Sequence, residues 1–493
     1  MMMRLKGVAS AVGTSMFLIP LSLTLPFITG LIYGESLLLI FSAYGIPSIL
    51  ALTLGYLLRL IGGSIGKDFR PTEALMTVSI FWLVVAAFGA LPYLIMGTMT
   101  NFYDAFFESM SGFTTTGASV LVEIDDLPHS ILLWRSLTQW LGGLGVIVLM
   151  VALFSILMGG PKAGMLLMKG EVPGHSSERI VHRIKDTAKI LWIIYGILTI
   201  AEIILLISLK LRVFDAVCHT FTTLSTGGFG THTDSITHYR DLPTAPFIEM
   251  VFVFFMFMGG VNFVIHYNFI MKGVRSYLKD LEFRTYLLIM MGLVTIVTLD
   301  LVFSGGFDIF DSIRGSVFTV VSIQTTTGYV TADYEAWPPL SRFIVILAMF
   351  LGGMTGSTGG GIKIARFMIA FQAAKRSMRR MGHSGSVIPL RMRDVVFSEG
   401  IVRSVLVFIF AYITIFIFSS FLMSLTGLDF ITSISSVSAT LGNVGPGMGL
   451  VGPTSNYSEI EPIGKVLLSV LMWLGRLEIM AVMVLFFPHT YRS

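Results

Sequence analysis

Ten apolar stretches constrain this chain more than any other feature. They lie at about 8–33, 37–60, 73–97, 131–158, 188–210, 246–271, 284–304, 341–374, 401–425 and 464–488. Crossing ~30 Å of hydrocarbon takes about 20 apolar residues in a helix. Composition agrees. Hydrophobic residues make up 54% and charged residues 13%, against about 25% charged in soluble domains, and mean hydropathy is +0.82. The first stretch is too long for a signal peptide, with no small-residue cleavage site before Glu35. It reads as a spanning helix bent at Pro20 and Pro26. A lone cysteine, Cys218, excludes a disulfide framework and a cysteine zinc site. The net charge of +4 includes no long basic tract for nucleic acid.

Charge sets the sidedness. The N-terminus, the loops near 59–73, 160–187, 272–284 and 375–399, and the C-terminus hold 21 Lys/Arg and 9 Asp/Glu. The opposite loops, near 98–135, 210–241, 305–342 and 426–465, hold 7 and 15. Excess Lys/Arg marks the cytoplasmic side, so both termini are expected there, with an acidic outer face.

Four outer loops each carry a second, shorter apolar segment ending in a Gly/Thr turn. The turns are Thr114–Ala118, Leu224–Phe229, Gln324–Tyr329 and Ser438–Gly445. The anchoring glycines, Gly117, Gly227, Gly328 and Gly442, are 110, 101 and 114 residues apart. Asp104, Asp215 and Asp429 precede theirs by 13, 12 and 13 residues, whereas Asp311 lies 17 before Gly328. Asp or Ser at the segment start would cap it. The expected architecture is an all-α polytopic membrane protein. It has four pseudo-repeats of helix, re-entrant half-helix, filter turn and helix around one pore, plus two extra N-terminal transmembrane helices. The divisions are 1–66, 67–165, 166–275, 276–393 with an intramembrane loop at 354–363, and 394–493.

Irregular backbone is tolerated at membrane depth where protein buries it or it lines water. Glycine permits φ > 0, so successive carbonyls can face one axis. A carbonyl ring can replace the hydration shell of K⁺ or Na⁺. The expected ring is Thr115, Thr116 and Gly117; Ser225, Thr226 and Gly227; Thr326, Thr327 and Gly328; and Thr440, Leu441, Gly442 and Asn443. Glycines in the closing helices at 142–145, 259–260, 352–353 and 475 suit close helix approach.

The third closing segment departs. Gly356, Ser357, Thr358, Gly359, Gly360, Gly361 and Lys363 sit inside a stretch that must cross, and each Gly costs ~1 kcal/mol relative to Ala. A break facing the pore is expected, with Ser357 and Thr358 lining the cavity. The run fails as a phosphate loop because Lys363 does not follow Gly361 directly and no Ser/Thr follows the Lys. Arg476 lies inside the last span, where a central Arg costs ~2.5–3.5 kcal/mol. It must face water or a partner. One reading is a salt bridge to Glu202 or Glu478; the other is a hydrogen bond to the 356–361 loop that helps to block the path.

Several strings resemble the Trk/Ktr/HKT superfamily of potassium transporters: Gln139–Gly145, Thr325–Tyr329, Gly356–Lys363, Gly442–Gly447 and Gly475–Glu478. The two extra N-terminal spans point to its TrkH-type branch. The resemblance implies potassium uptake across the cell membrane by a homodimer with one pore per subunit, and a gating loop at 356–363. It also implies a cytosolic ring of TrkA-type partners that bind a nucleotide (ATP/ADP or NAD(H)). No cofactor is expected on this chain. Membrane lipid competes with the partner for the basic segments near 162–189 and 375–393. An alternative is an H⁺- or Na⁺-coupled symporter with alternating access, but such proteins usually carry inverted repeats, whereas these are parallel and fourfold. An enzyme is not expected: the nine His are scattered, without HExxH or a Ser–His–Asp grouping.

Overall fold

The computed structural model describes residues 2–63, 71–157, 177–382, 389–392, 395–483 and 485. Parts of the expected basic loops, at 64–70, 158–176, 383–388 and 486–493, lie outside the described residues. The described chain is helical apart from turns and connecting loops, a loop within the third closing segment and one antiparallel hairpin, Leu390–Met392 against Val395–Phe397.

The first span runs through Met2–Met16 and Leu18–Ile32, interrupted at Phe17. Pro20 therefore falls in the first turn of the second piece, where its missing N–H costs little; Pro26 lies inside that helix. The second span passes from Leu37–Ile40 through a π-helical turn, Phe41–Gly45, into Ile46–Gly62. Gly13 and Gly55 let the two spans touch: a Cβ on either would come within 2.8 Å of the other's carbonyl oxygen.

Each repeat has an outer helix, a half-helix and a closing helix. Repeat one contributes Pro71–Ile95, Phe102–Phe113 and His129–Leu157. Repeat two contributes Ser177–Ser208, Val213–Leu224 and the pair Ala245–Gly259 and Phe263–Lys272. Repeat three contributes Leu281–Phe303, Ile309–Gln324 and the pair Pro339–Phe350 and Ile364–Gly382. Repeat four contributes Glu399–Ser424, Phe430–Leu441 and the pair Pro462–Arg476 and Met480–Met483. One apolar core joins repeats one and four to the N-terminal spans; another joins repeats two and three. Smaller buried clusters, such as Leu144, Ile147, Leu191 and Phe255, join repeats one and two, while large apolar side chains such as Leu288, Phe303 and Phe410 face outward, as a lipid-facing surface requires.

Two sequence expectations need correction. The segments 246–271 and 464–488 are not continuous helices. The first bends by 100° between Gly259 and Phe263, and the second breaks after Arg476. The half-helix caps also differ. Asn101, Asp308 and Asp429 accept backbone N–H bonds as N-caps, while Arg212 offers no side-chain cap. Asp104, Asp215 and Asp311 sit in the first turn instead, where their charge complements the helix dipole. The third half-helix has 16 residues against 12 in the others. Its extra turn at the N-terminus moves its cap, and that is why the Asp spacing failed there.

Candidate functional site

The four turns share one backbone conformation. Two residues beyond each half-helix the chain enters the left-handed region, at Thr115 (φ 49°), Thr226 (φ 54°), Thr326 (φ 61°) and Asn443 (φ 53°). Two residues later it does so again, at Gly117 (φ 83°), Gly228 (φ 79°), Gly328 (φ 81°) and Gly445 (φ 104°). The equivalent glycines are therefore 117, 228, 328 and 445. Gly227 and Gly442 are not members of this set.

These glycines close a ring. A Cβ on Gly117 would come within 2.7 Å of the carbonyl oxygen of Gly227; on Gly228, of Thr327; on Gly328, of Val444; on Gly445, of Thr116. Each turn thus packs its glycine against the carbonyl that precedes the next turn's glycine, and the fourth returns to the first. Any side chain would push that carbonyl aside. Half-helix C-termini converge on the same place, adding partial negative charge.

The structure places Thr115, Thr116, Gly117, Thr226, Gly227, Thr326, Thr327, Gly328 and Asn443 in this ring. Thr440 and Leu441 are instead the last residues of their half-helix, and Gly442 caps it. Ser225 occupies the matching cap position in repeat two. Hydroxyls of Thr114, Ser225 and Thr325 return to the carbonyls of Met110, Phe221 and Val321 at 2.6–2.7 Å. Gly228, Val444 and Gly445 belong to the ring but were missed from sequence. Counting forward from the half-helix end, rather than matching the first glycine, would have found them.

Buried side chains brace the ring from outside. Gln139 donates from Nε2 to the Gly227 carbonyl at 2.7 Å and accepts from the Phe229 N–H at 3.0 Å. Asn443 donates from Nδ2 to Thr116 Oγ1 at 2.9 Å and to the Met472 carbonyl at 3.0 Å. Tyr457 donates to the Gly445 carbonyl at 2.7 Å. Arg135 pairs with Glu108 at 3.0 Å and donates to the Gly230 carbonyl at 2.9 Å. The closing-helix glycines have a specific purpose here: a Cβ on Gly142, Gly259 or Gly475 would press on the last carbonyl of its half-helix, at Phe113, Leu224 and Leu441.

Directly beside the ring lies the break in the third closing helix, from Leu351 to Lys363. It is wedged into the break of the second. Met354 N–H donates to the Gly260 carbonyl at 2.9 Å, Thr358 N–H to Gly259 at 3.1 Å, and Phe263 N–H to Gly356 at 3.1 Å. The loop also reaches the ring. Thr358 Oγ1 donates to the Leu224 carbonyl at 2.9 Å, and Gly360 N–H donates to Thr326 Oγ1 at 2.6 Å. Gly356 (φ 78°) and Gly361 (φ 62°) make the reversals, and Gly359 and Gly360 give the loop close approach to Thr325 and Gly442. Ser357 and Thr358 are fully buried. Ser357 bonds to its own loop at Met354, so it does not line a cavity as expected. Lys363 folds back onto the Gly359 carbonyl.

Arg476 pairs with neither Glu202 nor Glu478. Its Nη1 donates to the Thr358 carbonyl at 2.6 Å and its Nη2 to the Gly142 carbonyl at 3.3 Å. Glu478 pairs with Arg366.

Beyond the first two turns, Asp125 ties the first turn's loop to the second's. It accepts from Thr233 Oγ1 at 2.6 Å and lies 2.7 Å from His232 Nδ1. Burial pushes the Asp125 carboxyl pKa up, but the bonds from Thr233 and His232 outweigh it and hold it at about 2.

Comparison with known proteins decides the family. The family model for TrkH, described as a cation transport protein, matches residues 63–490. The chain belongs to the TrkH family. It is 35% identical over 495 aligned residues to the Trk system potassium uptake protein TrkH of Escherichia coli strain K12, covering all of both chains. Trk system potassium uptake protein TrkG of the same strain is 33% identical, over 98% of this chain and 97% of its own. The crystal structure of the potassium transporter TrkH from Vibrio parahaemolyticus aligns with a TM-score of 0.88 at 30% identity, over 99% of this chain and 100% of that one. This TrkH-family chain is thus a multi-pass helical membrane protein.

Proposed function

We propose that this chain carries K⁺ into the cell through the ring of turns at Thr115–Gly117, Thr226–Gly228, Thr326–Gly328 and Asn443–Gly445. The observation that carries the reading is the cyclic contact of each ring glycine with the next turn's carbonyl. Fixed backbone oxygens replace the water that a dehydrating cation loses. The braces at Gln139, Asn443 and Tyr457 hold those oxygens against collapse. The relatives are named as potassium uptake proteins, which favours K⁺ as the cargo and a transporter over an enzyme.

The loop at 351–363 with Arg476 is the gate, and the bonds of the loop to Leu224, Thr326 and Arg476 support a role in closing the path. A TrkA-type cytosolic ring carrying ATP/ADP or NAD(H) opens it by pulling the Ile364–Gly382 helix. The assembly is a homodimer in the cell membrane with both termini cytoplasmic; the Lys/Arg bias of the loops supports that orientation.

The test is a bi-ionic reversal potential on the purified chain in liposomes, taken with and without a pH gradient. The expected reversal follows the K⁺ gradient and ignores pH. A reversal that moves with the pH gradient replaces this reading with H⁺-coupled symport.

A further inference from the structure

Outside the ring and the gate, one cluster joins the outer loops of repeats one and two. A ring nitrogen of His232, a ring nitrogen of His238 and a carboxylate oxygen of Asp125 all lie within 4.8 Å of one another. The imidazoles stack, with centroids 3.5 Å apart and planes 4° from parallel. Asp125 and His238 are exposed and His232 is half-buried, so the cluster opens to solution.

We propose that Asp125, His232 and His238 form a binding site for a zinc-class divalent cation that clamps these two loops together. Donor chemistry selects the class. Two imidazoles and one carboxylate suit Zn²⁺ and its borderline neighbours, whereas Mg²⁺ and Ca²⁺ prefer all-oxygen sets. Asp125 Oδ1 lies 2.7 Å from His232 Nδ1, and the metal takes the place of the proton shared there. The carboxylates behind the rings fit as well. Asp215 Oδ1 lies 3.8 Å from His232 Nε2, and Asp234 Oδ1 lies 3.4 Å from His238 Nδ1. Such partners orient metal-bound histidines and raise their basicity.

Asp125 is already held by Thr233, through its N–H at 3.1 Å and Oγ1 at 2.6 Å, so one ligand is preorganised. Bonds of about 2.0–2.2 Å to zinc place tetrahedral donors roughly 3.3–3.6 Å apart. The exposed ring of His238 therefore turns out of the stack to bring its nitrogen onto the ion, and water completes the shell.

The experiment is titration of the full-length purified chain with ZnCl₂ by calorimetry, paired with thermal unfolding. Wild type is expected to bind one Zn²⁺ per chain with a micromolar or tighter constant. Its unfolding midpoint is expected to rise as the ion is added, since the ion binds the folded loops alone. His238→Gln, at an exposed position, and His232→Asn should each weaken binding about 100-fold and abolish the thermal shift. Calcium should produce neither effect. Equal zinc affinity in wild type and both variants means an adventitious ion only and overturns the proposal. So does a zinc constant in the millimolar range in wild type. Because the readouts are binding and unfolding, the result stands apart from whether the pore conducts K⁺.

Discussion

Arg476 donates to the carbonyl of Thr358 at 2.6 Å, and this one bond fastens the last closing helix to the 351–363 loop of repeat three. The arginine is 2% exposed and its Nε has no partner among the described residues. A guanidinium offers five donors and no acceptor, so only acceptor oxygens can hold it there, and here they are two backbone carbonyls. Arg476→Ala removes both the bond and a fixed positive charge from the path. Basal K⁺ flux, measured as rubidium uptake into liposomes without any partner, is expected to rise several-fold. A deletion within 356–361 should raise it further. Flux that is unchanged or lower in both variants removes the gate assignment.

The ring register makes a second prediction. Gly445 stands at φ 104°, a conformation that L side chains rarely adopt, and its missing Cβ faces Thr116. Gly442 caps a half-helix at φ −79°. Gly445→Ala and Gly228→Ala are expected to lower K⁺ over Na⁺ selectivity by about tenfold or more. Gly442→Ala crowds the Met349 carbonyl and should reduce the yield of folded protein, while the protein that folds keeps its selectivity. Reversal potentials under mixed K⁺ and Na⁺ check this. Selectivity lost at Gly442 and kept at Gly445 returns the filter to the register first read from sequence.

The contrast between these two glycines shows what the sequence could carry. Ten apolar runs and four Gly/Thr turns were enough to define the helical architecture. Matching turns by their first glycine worked in repeats one and three, where Thr–Gly ends the ring. It failed where repeat four puts a glycine at the helix cap and where repeat two doubles it. The broken helix at 351–363 was legible because its glycines are dense. The break at 260–262 was not, because it depends on Met354, Thr358 and Gly356 exchanging backbone bonds with a segment nearly a hundred residues earlier. The local signal, two glycines followed by the Asn262 cap, marks a helix restart but not the partner that fills the break. The pairing of Arg476 stayed open between carboxylate and loop for the same reason.

Stability offers a third check. Glu108 is fully buried, and its carboxylate takes Arg135, Ser119 Oγ and the Val120 N–H. Removing one partner of a buried pair costs about 3–5 kcal/mol, because the other charge is left without compensation. Glu108→Leu is therefore expected to lower the unfolding midpoint strongly and reduce the yield of dispersed protein. Glu108→Gln should fall between it and wild type, since the amide oxygen still accepts a bond. Equal midpoints for all three proteins contradict the brace.

The basic end of the Ile364–Gly382 helix tests the proposed partner. Lys375, Arg376, Arg379 and Arg380 lie on that helix, and Arg376 pairs with Glu399 at the start of the next span. A deletion within 378–390 is expected to abolish co-purification with a TrkA-type ring while leaving the ring of turns folded. Retained co-purification assigns these charges to orientation and lipid headgroups.

The interlock between the two broken helices yields the last prediction. Asn262 caps the Phe263–Lys272 helix by accepting from the Val264 N–H at 2.8 Å, and the adjacent Phe263 N–H holds the Gly356 carbonyl. Losing a cap costs about 1 kcal/mol, a factor of about five in an equilibrium constant. Asn262→Ala therefore loosens the wall against which the loop rests, and removes the amide that packs on Gly356, while leaving the loop's own residues and Arg476 unchanged. Basal flux should rise by a factor of about five or less, below the rise for Arg476→Ala. Combined, the two changes should fall short of the product of their separate effects, because both act on the same closed loop and neighbouring sites couple. Liposome flux on the two single variants and the double variant decides it. Strict multiplicativity means that the Asn262 cap and the Arg476–Thr358 bond hold separate elements, and the interlock is then not the unit that moves.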